Sequence, residues 1–417
     1  MSIVSSPLIS SGDQFRAGLT EPKRFAKCRQ PAIWSIFDAL LRNKPLVKSK
    51  NQTRGARPAG KTDGRKPRPD AKPAPRAPER PRPKEPVAEA PARPARQREE
   101  KWEKASNSIQ IFMPARAGSR PREIAPVILE TSGEDRYRLL DTGAGLKLEQ
   151  YGDIRVVRPE AQALWPKALP DSEWDKADAI FTGDAEDDGA GRWRFAGKGL
   201  GETWPLRLLD VDFHGRFTSY RHVGVFPEQL VHWSWAAEQI RKRGGKPRVL
   251  NLFGYTGVAS LVAAKAGAEV THVDASKKAI GWGRENQALA GLDEKPIRWI
   301  CDDAMKFIER EQRRGSRYDI ILADPPRFGR GPEGEIWQLF DHLPKMLDIC
   351  RDLLAEDAIG LVLTAYSIRA SFYAIHELMM ETMRGRGGLV ESGELIIREQ
   401  SEARRALSTS LFSRWTQ

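Results

Sequence analysis

The sequence predicts an α/β fold: a mostly parallel sheet covered by helices on both faces, with an antiparallel C-terminal hairpin at its edge. A small β-rich domain and a disordered basic N-terminal region stand ahead of it. Three observations carry this reading. From about residue 226, short β-branched runs alternate with helical ones, the pattern of parallel strands joined by crossover helices. Between 109 and 225 the pattern is period-two alternation broken by glycine and aspartate turns. Before 109 the composition is largely that of a chain unable to build a core. The expected divisions are therefore 1–108, 109–225 and 226–417.

The chain has 417 residues and a formal net charge of +12. Residues 41–101 hold nineteen Lys and Arg against seven Asp and Glu, so that segment carries the whole excess. It also holds 12 of the 29 prolines and no aromatic residue. Such a stretch buries too little apolar surface to offset its chain entropy. It reads as a solubilising tether or as an electrostatic arm for nucleic acid, where each neutralised phosphate releases counterions. Upstream, "PAIWSIFDALLRN" is a short amphipathic helix candidate: a partner-binding helix, a targeting segment, or the product of a start codon placed too early. Cys28, Cys301 and Cys350 follow no disulfide or zinc spacing. That points to a reducing, cytoplasmic compartment and to no metal site. No run approaches the ~18 apolar residues of a membrane span, and no secretory leader pattern occurs. No membrane partner is expected.

In the 109–225 region, "YRLLDTGAGLKLEQYGDIRVVRP", "RWRFAGKG" and "TWPLRLLDVDFHGRFTS" read as short antiparallel strands. Six of the twelve tryptophans lie between Arg155 and Ile240 and are expected in core positions. After a helix at "FPEQLVHWSWAAEQIRKR", strands are expected at "PRVLNLF", "AEVTHVD", "PIRWICD", "RYDIILAD" and "AIGLVLTAY". The intervening helices are "GVASLVAAKAG", "SKKAIGWGRENQALAG", "AMKFIEREQRR" and "EIWQLFDHLPKMLDICRDLL". The tail ends in two strand-like runs that form the edge hairpin.

In an open parallel sheet a ligand sits beyond the carboxyl ends of the strands, at the topological switch point. Those ends read "NLFGYTG", "HVD", "CDDA", "ADPPRF" and "LTAYS". Gly254 and Gly257 allow a close turn beside a helix N-terminus. Asp274, about twenty residues on, is placed to accept from ribose hydroxyls. This pair alone does not separate a dinucleotide from S-adenosylmethionine. Asp303 is placed to accept from an adenine amino group, with Asp302 helping or capping the helix. Pro325 and Pro326 cannot continue a ladder, so Asp324 is held at a rigid strand tip. Its carboxylate, the freed proline-turn carbonyls and the ring of Phe328 suit the edge and face of a planar base.

The ordered set "GVFPEQ", "NLFGYTG", "VDAS", "DDA" and "DPPRF" resembles class I S-adenosylmethionine-dependent methyltransferases. Within them it is similar to the ribosomal RNA large-subunit branch that carries "DPPxF". The likeness covers about 225–417 and extends back through "LLDTGAGLKLEQYGDIRVVRPEAQALWP", similar to the small β-rich domain of relatives. The resemblance implies a Rossmann-like methyltransferase domain using S-adenosyl-L-methionine. Phe226, Gln229, Phe253, Gly254, Gly257, Asp274 and Asp303 would hold the cofactor; Asp324, Pro325, Pro326 and Phe328 would meet the target base. The partner implied is RNA, ribosomal RNA first, and no oligomeric state is implied.

Relatives that methylate a cytosine ring carbon carry a cysteine after the fifth strand to add to the ring. This chain has Tyr366 and Ser367 there. Cys301 and Cys350 are expected as buried apolar residues, so transfer to a nitrogen is favoured, a guanine ring nitrogen or an exocyclic amino group. Three other functions compete: a methyltransferase for a small molecule or protein, a non-catalytic RNA-binding or assembly factor, and a nicotinamide-dependent dehydrogenase. Cofactor-binding comparison and assays on total RNA separate them. If the basic segment is an arm for RNA, deleting residues 1–105 lowers RNA affinity mainly at low salt and leaves cofactor binding intact. An unchanged salt dependence of RNA binding would make it a tether.

Overall fold

The computed structural model describes residues 113–417, apart from 132, 134–135, 184–190, 198–199, 367 and 369. The expectations for the basic segment, the amphipathic candidate, Cys28 and Ser367 lie outside the described residues. Strand β1 (Arg122–Thr131) comes first. Strands β2 (Tyr137–Gly143), β3 (Leu146–Tyr151) and β4 (Ile154–Pro159) form two hairpins. A short helix α1 (Asp171–Trp174) leads to β5 (Ala179–Thr182) and β6 (Arg192–Phe195), completing a five-stranded sheet in the order β2-β3-β4-β5-β6. Strands β7 (Thr203–Leu208) and β8 (Val211–Arg216) make a separate hairpin. Its turn residues, Leu209 and Asp210, both have positive φ, matching the right-handed twist of the strands.

A 3₁₀ turn, Pro227–Gln229, runs into α2 (Leu230–Arg243) and then β9 (Arg248–Leu252). There follow α3 (Val258–Ala266), β10 (Glu269–Asp274), α4 (Lys277–Leu289), β11 (Ile297–Cys301) and α5 (Ala304–Arg313). Next are β12 (Ile320–Ala323), the small hairpin β13 (Phe328–Arg330) and β14 (Ile336–Gln338), and α6 (Leu339–Leu353). The chain closes with β15 (Gly360–Tyr366), α7 (Phe372–Thr382), β16 (Leu389–Arg398) and β17 (Ala406–Thr416). The main sheet has the order β1-β16-β17-β15-β12-β9-β10-β11. It is parallel except where β17 runs against both β15 and β16. Chain order reverses between β9 and β12, which places the switch point there.

Alternate residues of the central strands enter opposite cores, as the pleat requires. Leu250, Ile321, Leu361 and Leu363 pack with α5, α6 and α7. Val249, Val270, Ile320 and Val362 pack with α2 and α3. Tyr137, Leu139 and Phe213 share a third core with Val258 and Leu261 of α3, so the small sheet and the main sheet are packed through common apolar residues.

Three local expectations need correction. The C-terminal hairpin is not the sheet edge: β1 adds in parallel to β16, with a register shift at Ala125–Pro126. A proline lacking its donor is tolerated there because β1 itself is the edge strand. The run beginning "EIWQ" forms β14 before it turns helical, because β13 offers an antiparallel partner. Helix α7, before β16, has no counterpart among the elements that the sequence predicts. No helix among the described residues is long and apolar enough to cross a membrane.

The β16–β17 connection is tied to the small sheet by ions. Arg405 donates to buried Asp141 at 2.8 Å, to buried Glu399 at 2.7 Å and to the carbonyls of Thr142 and Pro166. Asp141 also accepts from Leu169 N and Trp174 Nε1. Burial opposes charge on Glu399, but Arg405, Ser401 and Thr142 hold its carboxyl below the usual range. Arg405→Met should therefore destabilise the protein by roughly 3–5 kcal/mol, since it strands two buried acids. Urea unfolding checks this; a loss under 1 kcal/mol would show that water replaces the guanidinium.

Candidate active site

One cavity of about 420 Å³ opens at the carboxyl ends of β9, β10, β12 and β15. Its geometry starts from the turn after β9. Phe253 and Tyr255 both adopt positive φ, 57° and 52°, a conformation that costs residues with a Cβ. Asp274 braces the turn at Tyr255, whose N–H donates to one carboxylate oxygen at 2.9 Å, while Ser276 N donates to the other at 2.8 Å. Burial raises the Asp274 pKa and these two N–H groups lower it, with burial prevailing.

Gly254 has a reason the sequence does not disclose. A Cβ on it would meet the His272 ring at 2.3 Å, so the glycine makes room for a side chain beneath the turn. His272 contacts Ser260 Oγ at 2.9 Å, and Asn251 donates to the same oxygen. Burial pushes its pKa down to about 3, so the ring stays neutral. Gly257 is left-handed at φ 83° and opens α3. A Cβ there would strike Trp299 at 2.5 Å. Gly257 shapes the turn without lining the cavity.

Asp303 lines the cavity and also caps α5, accepting from Lys306 N at 3.0 Å. Asp302 accepts from Asp303 N and pairs with Arg310 at 2.7 Å. The helix cap is thus Asp303, not Asp302.

Across the cavity, Asp324 follows β12 and is half-buried among lining residues. Burial and the neighbouring Glu228 charge push its pKa up to about 7, against hydrogen bonds from Thr364 and Gln229 that pull it down. Glu228 is buried, and burial raises its pKa as well. Phe226 and Gln229 line the same space, Phe226 packing 5.7 Å from the Tyr255 ring. Trp337 Nε1 donates to the Pro326 carbonyl at 2.7 Å, and Leu339 N to the Arg327 carbonyl. Those two oxygens each have a protein donor already, so the Asp324 carboxylate and the carbonyls ahead of Pro326 are the less committed acceptors of the turn. Phe328 is 54% exposed and does not line the cavity. The hairpin places it on the outer face, outside the cavity with which the sequence associates it.

A family profile described as S-adenosylmethionine-dependent methyltransferase matches residues 179–362. The crystal structure of the SAM-dependent methyltransferase from Agrobacterium tumefaciens is 67% identical, covering 74% of this chain and 99% of that one, with a TM-score of 0.71. The chain belongs to the S-adenosylmethionine-dependent methyltransferases. It is also similar to the ribosomal RNA large subunit methyltransferase K/L of Shewanella baltica, 35% identical over 135 residues, 31% of this chain and 18% of that protein. The ribosomal RNA large subunit methyltransferase I of Aeromonas salmonicida is 38% identical over 92 residues, 22% of this chain and 23% of that protein. The chain thus spans under a quarter of either curated relative.

The methyltransferase's cavity fits its family's cofactor. Each oxygen of Asp274 has one backbone donor and a carboxylate accepts about four, so acceptor capacity for ribose hydroxyls remains. Phe253, Ala275 and Ala304 supply apolar wall beside it. Sequence reasoning missed Glu228, Tyr255 and Trp337, although Glu228 stands inside the quoted "FPEQ". Cys301, expected buried, is exposed; its thiol approaches the Ala275 carbonyl at 3.6 Å. Partial burial, Asp274 and Asp302 raise its pKa, so it is a poor thiolate. Cys350 is buried and pushed up to about 12. Asp274→Ala should weaken S-adenosylhomocysteine binding by roughly 1.5–3 kcal/mol, the size of a charge-assisted hydrogen bond. Calorimetry showing wild-type affinity would remove Asp274 from the cofactor site.

Proposed function

We propose that this methyltransferase acts on a nitrogen of an RNA base, with ribosomal RNA the substrate class. The names of the two curated relatives support the substrate. The observation that carries the chemistry is Asp324: an acid with a pKa near 7, at the tip of a Pro–Pro turn, in the cavity that also contains Asp274.

Bound S-adenosylmethionine supplies a sulfonium methyl open to in-line displacement, so the protein's task is largely orientation. In this reading Asp274, Asp303, Phe226, Gln229, Phe253 and Gly254 hold the cofactor, with Gly257 setting the turn. Ionised Asp324 accepts a hydrogen bond from an exocyclic amino group and aims the nitrogen lone pair at the methyl. It then takes the proton that the alkylated nitrogen sheds. A carboxyl of ordinary pKa would be a weaker acceptor, and burial beside Glu228 raises this one toward the working pH. Pro325 and Pro326 keep the carboxyl from turning away. A ring-carbon mechanism needs an activated thiolate, and neither described cysteine provides one.

Asp324→Ala should lower the single-turnover rate by about 10²-fold or more while the protein stays folded and binds S-adenosylhomocysteine. Replacing Pro325 should give a milder loss, and Cys301→Ser and Cys350→Ser should remain active. A fully active Asp324→Ala sinks the orientation role; a dead but folded Cys301→Ser revives the covalent route.

The pH dependence has a definite sign. As acceptor, Asp324 must be ionised, so kcat/KM should rise with pH through about 7. A falling profile would mean neutral Asp324 donates, as it would to a carbonyl beside a ring nitrogen. Because the folded pKa lies above the usual 3.8, folded protein binds the extra proton and stability falls as pH rises from about 4 to 7. Asp324→Asn should then melt higher than wild type above pH ~7, the gain shrinking toward pH ~4. Thermal melts across that range check it.

A further inference from the structure

The hairpin that follows the Pro–Pro turn has two unlike faces. Its register opposes Phe328 to Gln338 and Arg330 to Ile336, which puts these four side chains on one face. Gly329 and Trp337 share the other. Trp337 is 3% exposed, packed 5.0 Å from the Phe253 ring, so its face is the inner one. On the outer face Phe328 and Ile336 are 54% and 53% exposed, and Phe340, in the first turn of α6, is 56% exposed. Arg327 and Arg330 are exposed and line the cavity mouth. Neither has an ion-pair partner among the described residues. The acids of the hairpin loop, Glu333 and Glu335, are both paired with Lys306 and leave these arginines uncompensated.

We propose that this outer face docks the single-stranded RNA next to the target base, Phe328 stacking a flanking base while Arg327 and Arg330 take the adjoining phosphates. The proposal rests on the RNA reading above. An aromatic platform beside uncompensated cations matches a strand that offers π faces and phosphates alternately. The arginines make the platform continuous with the cavity, so a strand with its target base inserted passes over it. A protein partner would need the apolar face but not the free cations at the mouth.

The test uses the full chain and a labelled single-stranded RNA oligonucleotide of mixed sequence, with binding read by fluorescence anisotropy at low and high salt. Phe328→Ala with Phe340→Ala should weaken binding about tenfold at both salts. Arg327→Ala with Arg330→Ala should weaken it mostly at low salt and flatten the salt dependence. Both variants should melt like wild type and bind S-adenosylhomocysteine unchanged. Wild-type RNA affinity in the phenylalanine variant overturns the proposal. So does sedimentation showing a wild-type dimer that this variant splits, which would assign the face to a second copy. If wild type neither binds nor methylates RNA, the RNA reading itself fails and the docking face fails with it.

Discussion

The turn between β9 and α3 is the constraint on which the cavity depends. Two residues with side chains, Phe253 and Tyr255, are held left-handed on either side of Gly254, at a cost of roughly 1–2 kcal/mol each. Asp274 offsets part of that cost through the Tyr255 amide, and the Ser276 amide holds the other carboxylate oxygen. His272 fills the space beneath Gly254, and the chain Asn251–Ser260–His272 ties β9, α3 and β10 together. These contacts join neighbouring strand ends, so the cofactor wall is set by the sheet rather than by a free loop. The same carboxylate thus has two duties, bracing the turn and offering its remaining lone pairs to a ligand.

The opposite wall is built on electrostatic tension. Burial raises both carboxyls, and the Glu228 charge adds to the cost of ionising Asp324. Beyond them lie Arg158 and Lys147, and Arg221 hydrogen-bonded to Tyr366. Burial, reinforced by the same cations, drives His222 down to about 3. The histidine is therefore not the group that titrates near neutrality. That property belongs to Asp324, where a neutral pKa is useful for handling a proton and unhelpful for stability. Buried groups in such a state persist where surrounding packing over-determines the geometry, as the prolines and the Trp337 bond do here.

The main sheet was legible because the signals were local. Alternating runs and the Gly254 and Gly257 turn each carry a short-range cause, and strand order follows from topology rules. What escaped depended on partners far along the chain. β1 joins β16 across more than two hundred and fifty residues, and nothing in "REIAPVILE" names that partner. Gly254 in sequence promises a close turn, and it does line the cavity, but nothing local discloses that a core histidine also requires the glycine. Asp302 and Asp303 are chemically equivalent in sequence; only the helix start distinguishes cap from surface pair. Phe328 adjoins the Pro–Pro motif in sequence, but only the antiparallel pairing shows that its side chain lies on the outer face of the hairpin.

That pairing also links the two walls. The Trp337 indole donates to the Pro326 carbonyl and packs on Phe253, so one side chain touches both the acidic turn and the left-handed turn. A shift in either displaces the same ring, and the ring is buried and packed in the core shared by β12, β15 and α6. Close-packed interiors resist small displacements. The distance between Asp324 and the cofactor wall is consequently a property of the core and not of two independent loops. In a displacement reaction that depends on alignment, such a brace matters more than an additional functional group. It also accounts for a hairpin that looks superfluous to the main sheet: its inner residue fixes the alignment, and only its outer residues are left free to meet a partner.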